Sequence, residues 1–408
     1  VCSPTRGSCI TGRHPYRYGI PFANSGHMKP QELTLAELLK KQGYATGHFG
    51  KWHLGTLTKT VKDANRGGPG GAKHFSPPQA NGFDVCFSTE SKVPTWDPLF
   101  RPKGNNSKTW WDPVPGERDA NAYGTAYWNE HGESVTENTR GANSRVIMDR
   151  AIPFIQKATQ ARQPFFSIIW FHTPHLPVVA GPRHAAMYRD YPKYAQHYYG
   201  CITAMDEQVG RLRSELRKLG AAENTLLFFC SDNGPEGQTG KAPGSAGHLS
   251  GRKRSLLEGG IRVPMIVRWP GRVPKGTTSD YVTGLEDWVP TLLDLIGEKK
   301  AAPENIDGLS IADVLRGRKQ NPRSFLYREF SGYGGQQAVW AGRWKAVRQN
   351  ILRKNNKQPL RIQLYDLKTD ISESNDVAAD NPEVVASLRK IMTREHTPSE
   401  FYPIKPLD

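Results

Sequence analysis

The sequence is poor in cysteine, poor in acid relative to base, and free of long apolar runs. Its five cysteines (Cys2, Cys9, Cys86, Cys201 and Cys230) fall at irregular spacing with no CxxC pair among 408 residues. That argues against a zinc site and against a disulfide scaffold. No stretch approaches the roughly 18 uninterrupted apolar residues of a membrane span. Internal repeats and low-complexity segments are absent as well. Against 39 Asp+Glu stand 55 Lys+Arg, a net charge of +16. Such a surplus favours polyanionic partners: nucleic acid, anionic lipid or sulfated glycan. With no zinc-finger spacing, RNP-like aromatic run or long basic tract, nucleic acid is not expected. The chain opens at Val1 without a Met or a leader, so an N-terminal truncation is expected, with any export signal lost alongside it.

What is present reads as a globular α/β chain. At 408 residues with 37% hydrophobic and 23% charged content, it is long enough for one large domain and a smaller one. Thr34-Leu35-Ala36-Glu37 is a capping-box pattern that opens an amphipathic helix through Lys41, with Gly43 as its stop. A strand-like run follows from Tyr44 to Phe49, and residues 56–145 then show little periodicity. Order returns with a helix from about Ser144 to Thr159 and a fully buried strand from Pro164 to Phe171. Ile202, Met205, Val209, Leu212, Leu216 and Leu219 form a helical stripe that ends at Gly220. Thr225–Cys230 and Ile261–Trp269 read as further strands, and Asp287–Ile296 as a helix. The alternation implies a mostly parallel central sheet flanked by helices. From about residue 320 short amphipathic strands and a final helix over Pro382–Arg394 suggest a small α+β subdomain. The expected organisation is therefore 1–319 and 320–408.

The unusual polar residues cluster behind the strands. Lys51 and His53 follow the first run, His172 and His175 the second, Asp232 and Asn233 the third. In open α/β sheets ligands bind beyond the carboxyl ends of strands, so these groups are expected at one sheet edge.

Cys2-Ser3-Pro4-Thr5-Arg6, followed by Thr11-Gly12-Arg13, resembles the modified-cysteine element of type I, formylglycine-dependent sulfatases in the alkaline phosphatase superfamily. Gly50-Lys51-Trp52-His53-Leu54-Gly55 is similar to that family's second element, and Ser231-Asp232-Asn233-Gly234 to its metal-binding strand end. Lys253 with Glu258-Gly259-Gly260-Ile261-Arg262 resembles its late lysine block; Gly342-Arg343-Trp344-Lys345 and Leu364-Tyr365-Asp366-Leu367 agree in the tail. The resemblance implies an alkaline phosphatase-like fold, a sulfuric ester hydrolase, and a maturation enzyme that oxidises Cys2 to formylglycine.

By that resemblance Cys2 is the nucleophile, Arg6 and Lys51 hold the hydrated aldehyde, and His53 is the base that expels sulfate. His175 and Lys253 would contact the sulfate and the leaving oxygen, with His175 as proton donor. The chemistry suits these residue types: a hydrated aldehyde has one hydroxyl to attack sulfur and another to expel sulfate, where a serine would be trapped as its ester. An imidazole is poised near neutral pH. The segment from Cys2 to Gly12 is expected to open a helix, with N–H groups near the anion. Asp232 and Asn233 offer hard oxygens for Ca²⁺, less so Mg²⁺, beside the modified Cys2. Each residue also has an ordinary reading. Cys2 could be a plain thiol, Lys51 and His53 solvated loop residues, and Asp232-Asn233 an Asx-turn. Lys253 sits in a basic cluster with Arg252 and Arg254, and His172 reads as a structural histidine.

Relatives carry paired aspartates on a first strand ahead of the cysteine, which this chain lacks. It is therefore expected to bind Ca²⁺ weakly, to be poorly stable and not fully active. The expected substrate is a sulfated carbohydrate or aryl sulfate, acted on in the periplasm or outside the cell. Trp96, Trp110, Trp111, Tyr123 and Trp128 are candidates for a sugar-stacking wall or a loop packed on itself. A phosphomonoester or phosphonate ester hydrolase is the nearest rival, and a non-catalytic binder of sulfated glycan the rival from another class.

Overall fold

The computed structural model describes residues 1–103, 118–238, 240, 242–400 and 402–408. The chain divides into two compact units, one made of Val1–Gly26, Leu226–Gln238 and Gly244–Asp408, the other of His27–Thr225 and Thr239–Pro243.

The 27–225 unit is built on a five-stranded sheet with the spatial order 134–135, 127–129, 85–89, 45–51, 165–170. Ala45–Lys51 lies between Val85–Thr89 and Phe165–Trp170 and runs parallel to both, while Tyr127–Asn129 and Ser134–Val135 join antiparallel. The sheet is therefore mixed. The 85–89 strand falls inside the stretch that shows no sequence periodicity. Its composition, Val-Cys-Phe-Ser-Thr, is too short and mixed to stand out among glycines and prolines.

Local chemistry sets the framing elements. Thr34 Oγ1 accepts from the Glu37 N–H at 3.2 Å and Glu37 accepts from the Thr34 N–H at 2.8 Å, closing the capping box that starts the helix Leu35–Lys41. The helix Asn143–Gln160 buries Val146, Ile147, Ala151, Ile152 and Ile155, and its Phe154 ring lies 5.6 Å from that of Phe49 on the central strand. Gly50 takes φ 104°, and a Cβ there would sit 2.1 Å from the Trp170 carbonyl oxygen, so no other residue fits between those strands. The 165–170 strand buries only Ile168 fully. The expected full burial fails because the strand ends the sheet order and pairs on one side.

In the other unit the expected parallel strands form an antiparallel pair of their own, Leu227–Cys230 with Met265–Arg268. The strand expected to begin at Ile261 starts later, because Glu258–Ile261 is a short helical turn. The helix Cys2–Thr11 ends at Gly12 with φ 71°. There a left-handed C-cap leaves the carbonyl to accept from the Asp307 and Gly308 N–H groups at 2.8 and 3.1 Å.

The tail folds as four antiparallel strands, Leu326–Phe330, Gln336–Ala341, Trp344–Gln349 and Gln363–Asp366, with the helix Pro382–Glu395. Val339, Ala346, Leu364, Leu388 and Met392 make its core. Beneath this sheet Lys345 is fully buried, with Nζ 2.9 Å from Glu258 Oε1, 2.6 Å from Glu373 Oε1 and 4.5 Å above the Trp340 ring. Glu258 also accepts from Trp340 Nε1 at 2.8 Å, and its N–H donates to Glu373 at 2.6 Å. One buried cation thus ties the tail to the turn at 258–261.

Removing one partner of such a cluster leaves uncompensated buried charge, which is destabilising by about 3–5 kcal/mol. Lys345→Ala is expected to lose that much in urea unfolding at pH 7. A loss below about 1 kcal/mol, the range of ordinary surface changes, would contradict the role given to this lysine.

Candidate functional site

Cys2 occupies the first turn of the helix Cys2–Thr11 and is 3% exposed. Tyr18 fixes this helix: its ring closes over Gly7, where a Cβ would come within 2.5 Å, and its hydroxyl donates to the Pro4 carbonyl. Arg6, one turn along, is 6% exposed and reaches Asp232 Oδ2 at 3.2 Å. Asp232 follows the 227–230 strand, so this ion pair brings the start of the chain to the end of that strand.

The turn after Asp232 is shaped by close approach. Gly234 donates to the Gly260 carbonyl at 2.8 Å, and a Cβ at Gly234 would sit 2.0 Å from the Gly259 oxygen. Lys253 donates its backbone N–H to Pro235 at 3.1 Å, and its Nζ lies 2.7 Å from Glu236 Oε2. Burial alone would lower the Lys253 pKa. The facing Cys2 and Glu236 outweigh it and push the ammonium upward, so Lys253 stays charged with Cys2 in its field. Asn233 Nδ2 donates to the Gly234 carbonyl at 3.0 Å, while its Oδ1 is buried without a partner. An orphaned amide oxygen next to a carboxylate suits a hard divalent cation. Among the described residues no group of three or more His, Cys, Asp or Glu could hold a metal.

In the 27–225 unit the register Lys51↔Thr89 and Gly50↔Trp170 puts three strand ends at one edge. Lys51 is the last strand residue and 2% exposed; His53 is 4% exposed with φ 62°. Trp52, between them, is buried and donates from its indole to the Ser76 carbonyl at 2.7 Å. His172 is buried with Nε2 3.2 Å from Thr89 Oγ1, as suits a structural histidine, and its carbonyl accepts the His175 N–H at 2.7 Å. His175 is half-buried, its Nδ1 2.8 Å from the Leu176 carbonyl. The structure thus brings Cys2, Arg6, Asp232, Asn233 and Lys253 together in one unit, and Lys51, His53 and His175 onto one edge in the other. The expectation that all three strands share a sheet is corrected: Asp232 and Asn233 follow a strand of the separate antiparallel pair.

Sequence reasoning missed two acids. Glu236 pins Lys253 and also lies 2.7 Å from Arg254 Nη1. Glu90 directly follows the overlooked 85–89 strand and is fully buried, with Arg66 Nε 3.4 Å from Oε1. Burial raises its pKa to about 7, against the pull of Arg66 and with a push from Asp63. Recognising its strand would have revealed it. Of the two readings of the aromatics, packing within the protein describes Trp128 and Trp96. Trp128 is buried and donates to Asp63 at 3.0 Å, and Trp96 packs on Gly181, where a Cβ would come within 2.1 Å of its ring. Trp110 and Trp111 lie outside the described residues.

Residues 1–298 match the family model described as Sulfatase. The chain belongs to the sulfatase family. Residues 247–397 match a second model, N-sulphoglucosamine sulphohydrolase, C-terminal, so the tail agrees with the family too. Arylsulfatase G of Rattus norvegicus is 30% identical over 96% of this chain and 76% of its own length. N-acetylgalactosamine-6-sulfatase of Canis lupus familiaris is 30% identical over 86% of this chain and 65% of its own length. The chain therefore spans about two thirds to three quarters of these relatives. Among solved structures, Ps i-CgsB in complex with k-i-k-neocarrahexaose superposes with a TM-score of 0.76 at 27% identity, covering 98% of this chain and 84% of that one. The fold is thus the alkaline phosphatase-like fold of solved sulfatases, and the chain is a sulfuric ester hydrolase by family.

Glu90 sets a pH signature for this sulfatase. Its folded pKa lies above the unfolded carboxyl value, so its stability contribution is complete below about pH 4.5 and is lost as pH rises through about 7. Glu90→Gln is expected to remove that loss, up to about 3 kcal/mol, visible as a flatter unfolding free energy between pH 5 and 8. An unchanged pH slope in the variant would contradict it.

Proposed function

We propose that this sulfatase hydrolyses sulfate esters of a sulfated carbohydrate, with Cys2 acting after oxidation to formylglycine. One observation carries the reading: a buried Cys2 in a helix's first turn, in the field of the buried ammonium of Lys253, with Arg6 of the same helix paired to Asp232. A plain core cysteine has no use for such cations, whereas a centre that gathers charge on a tetrahedral anion does.

The aldehyde hydrate supplies an attacking hydroxyl and a second hydroxyl that lets sulfate go. Arg6 and Lys51 bind and orient it. His53 takes the proton in the expulsion step, and His175 gives a proton to the leaving oxygen. Lys253, kept protonated and aimed by Glu236, holds a sulfate oxygen. Asp232 and Asn233 would hold one side of a calcium ion, which supplies charge neutralisation when bound. The named relatives support the substrate class: one is an N-acetylgalactosamine-6-sulfatase, and one solved neighbour is in complex with k-i-k-neocarrahexaose. The net charge of +16 fits a polyanionic substrate, and action on polysaccharide points to the periplasm or the exterior as its place of work. No helix is long and apolar enough to cross a membrane among the described residues.

Side-by-side rates on an aryl sulfate and an aryl phosphate test the reaction. The sulfate is expected to turn over at least tenfold faster, which is about 1.4 kcal/mol of transition-state preference, and Cys2→Ala is expected to abolish turnover. A faster phosphate reaction would move the chain to the phosphoesterases. Calcium titration is expected to give a dissociation constant in the range of about 10⁻⁴–10⁻³ M, since two oxygens fall well short of a full shell. Micromolar binding would overturn the partial ligand set.

A further inference from the structure

The basic surplus is concentrated in one part of the tail. From Ser331 to Tyr365 the sequence holds no Asp or Glu, while Arg353, Lys354, Lys357 and Arg361 crowd the loop between the strands Trp344–Gln349 and Gln363–Asp366. The loop and the strand ends border a recess of about 630 Å³, within the size range of ligand sites. Its walls include Gln349, Asn350, Arg353, Asn356, Lys357 and Arg361, and among the described residues no acid lines it. Arg361 is shared, with Nη2 3.1 Å from Asp376 Oδ2. Arg353 and Lys357 are exposed and meet no acid among the described residues.

Backbone and amide bonds fix the loop before any ligand arrives. Asn350 turns the chain with φ 58°. Ile351 is then 2% exposed, packs with Tyr16 and Ile404, and donates its N–H to the Gly335 carbonyl at 3.1 Å. Leu352 donates to the Gly334 carbonyl at 2.7 Å. Further along, Asn356 Nδ2 donates to the Asn350 carbonyl at 3.0 Å and its Oδ1 accepts the Gln358 N–H at 2.9 Å. A recess held this way loses little freedom when it binds.

The same contacts connect the recess to the Cys2 centre, all within one unit. Glu236, which pins Lys253, also holds Arg254, whose guanidinium lies 5.1 Å from the centre of the Tyr333 ring. Tyr333 is 52% exposed and takes φ 53°, a left-handed backbone that a bulky residue rarely adopts. Phe22 and Phe330 support its ring, with centroids 6.1 and 6.3 Å away. The next residue touches the recess: a Cβ at Gly334 would lie 3.2 Å from both Arg353 Nε and Asn350 Oδ1. Lys253, Arg254, Tyr333 and Arg353 therefore form a continuous line of contacts.

We propose that this recess is a distal subsite for a further sulfated sugar of the glycan chain whose ester is cleaved at Cys2. Arg353 and Lys357 hold its sulfate, as cations with no acid of their own can. The amides, which both donate and accept, match the sugar hydroxyls. Tyr333 offers its exposed ring to a sugar between the recess and the centre. The subsite rests on the reading of the Cys2 and Lys253 centre as the place of cleavage. The preferred substrate is then an oligosaccharide or a longer chain, not a lone sulfated sugar.

The test uses the full-length protein and the double variant Arg353→Gln, Lys357→Gln, whose changes lie on exposed side chains. Rates are measured on an aryl sulfate, a sulfated disaccharide and a sulfated hexasaccharide, and affinities by titration in a Cys2→Ala background. For the hexasaccharide, the dissociation constant and KM are expected to rise about tenfold with kcat within about twofold, as two exposed charge contacts are lost. The aryl sulfate and the disaccharide, too short to reach the recess, are expected to react unchanged, which also shows that the variant folds. An unchanged hexasaccharide affinity overturns the subsite. Equal losses on all three substrates overturn it too, because they place these residues in the folding or the chemistry of the centre. An equal loss of affinity for a DNA oligonucleotide of the same charge overturns the glycan assignment and leaves a general basic surface. If the wild type hydrolyses no sulfate ester, the reading of the Cys2 centre fails separately, and the ratio of hexasaccharide dissociation constants still decides the recess.

Discussion

A guanidinium kept almost wholly out of water must be neutralised, and in this sulfatase Asp232 does that for Arg6. Arg6 belongs to the helix that carries Cys2, and Asp232 to the end of the 227–230 strand. The pair therefore fixes where the cysteine lies relative to Asn233 and Lys253. Breaking it would leave a buried charge, the most destabilising outcome for any ion pair. The same rule recurs outward. Glu236 answers Lys253 and Arg254, and Glu258 with Glu373 answers Lys345. Where these buried cations are paired, an acid holds them charged and aimed: Asp232 for Arg6, Glu236 for Lys253, Glu258 and Glu373 for Lys345.

The cations fall into two groups by exposure. Arg6, Lys51, Lys253 and Lys345 are buried, where a fixed charge is worth far more than in water. Most of the remaining basic surplus lies toward solvent and is screened within about 8 Å at physiological salt. Only the first group can direct chemistry. The second can raise the local concentration of a polyanionic sugar.

Sequence made some of this legible and hid the rest for physical reasons. The helix from Leu35 was readable because its capping box is local, spanning Thr34 to Glu37. Lys51, His53, His172 and His175 were readable because strand ends announce themselves. The strand Val85–Thr89 was not, since Ser88 and Thr89 dilute its apolar pattern, and Glu90 was lost with it. The pairing of Leu227–Cys230 with Met265–Arg268 was hidden because apolar strands carry no mark of direction. Glu236 with Lys253, and Lys345 with Glu373, are long-range partnerships that no local spacing encodes. The tail blocks take on meaning only in three dimensions: Arg343 pairs with Asp366, and Lys345 with the late block's Glu258.

The central claim is that Cys2 sits in this cationic setting because it becomes an aldehyde. The direct measurement is the mass of the Cys2 peptide from protein made in its native host. Oxidation of the thiol to the aldehyde that the reaction needs lowers that mass by roughly 18 Da, and the account predicts that this lighter peptide predominates. An intact thiol throughout mature, exported protein would remove the nucleophile and leave a cationic pocket that binds sulfated sugar without cleaving it.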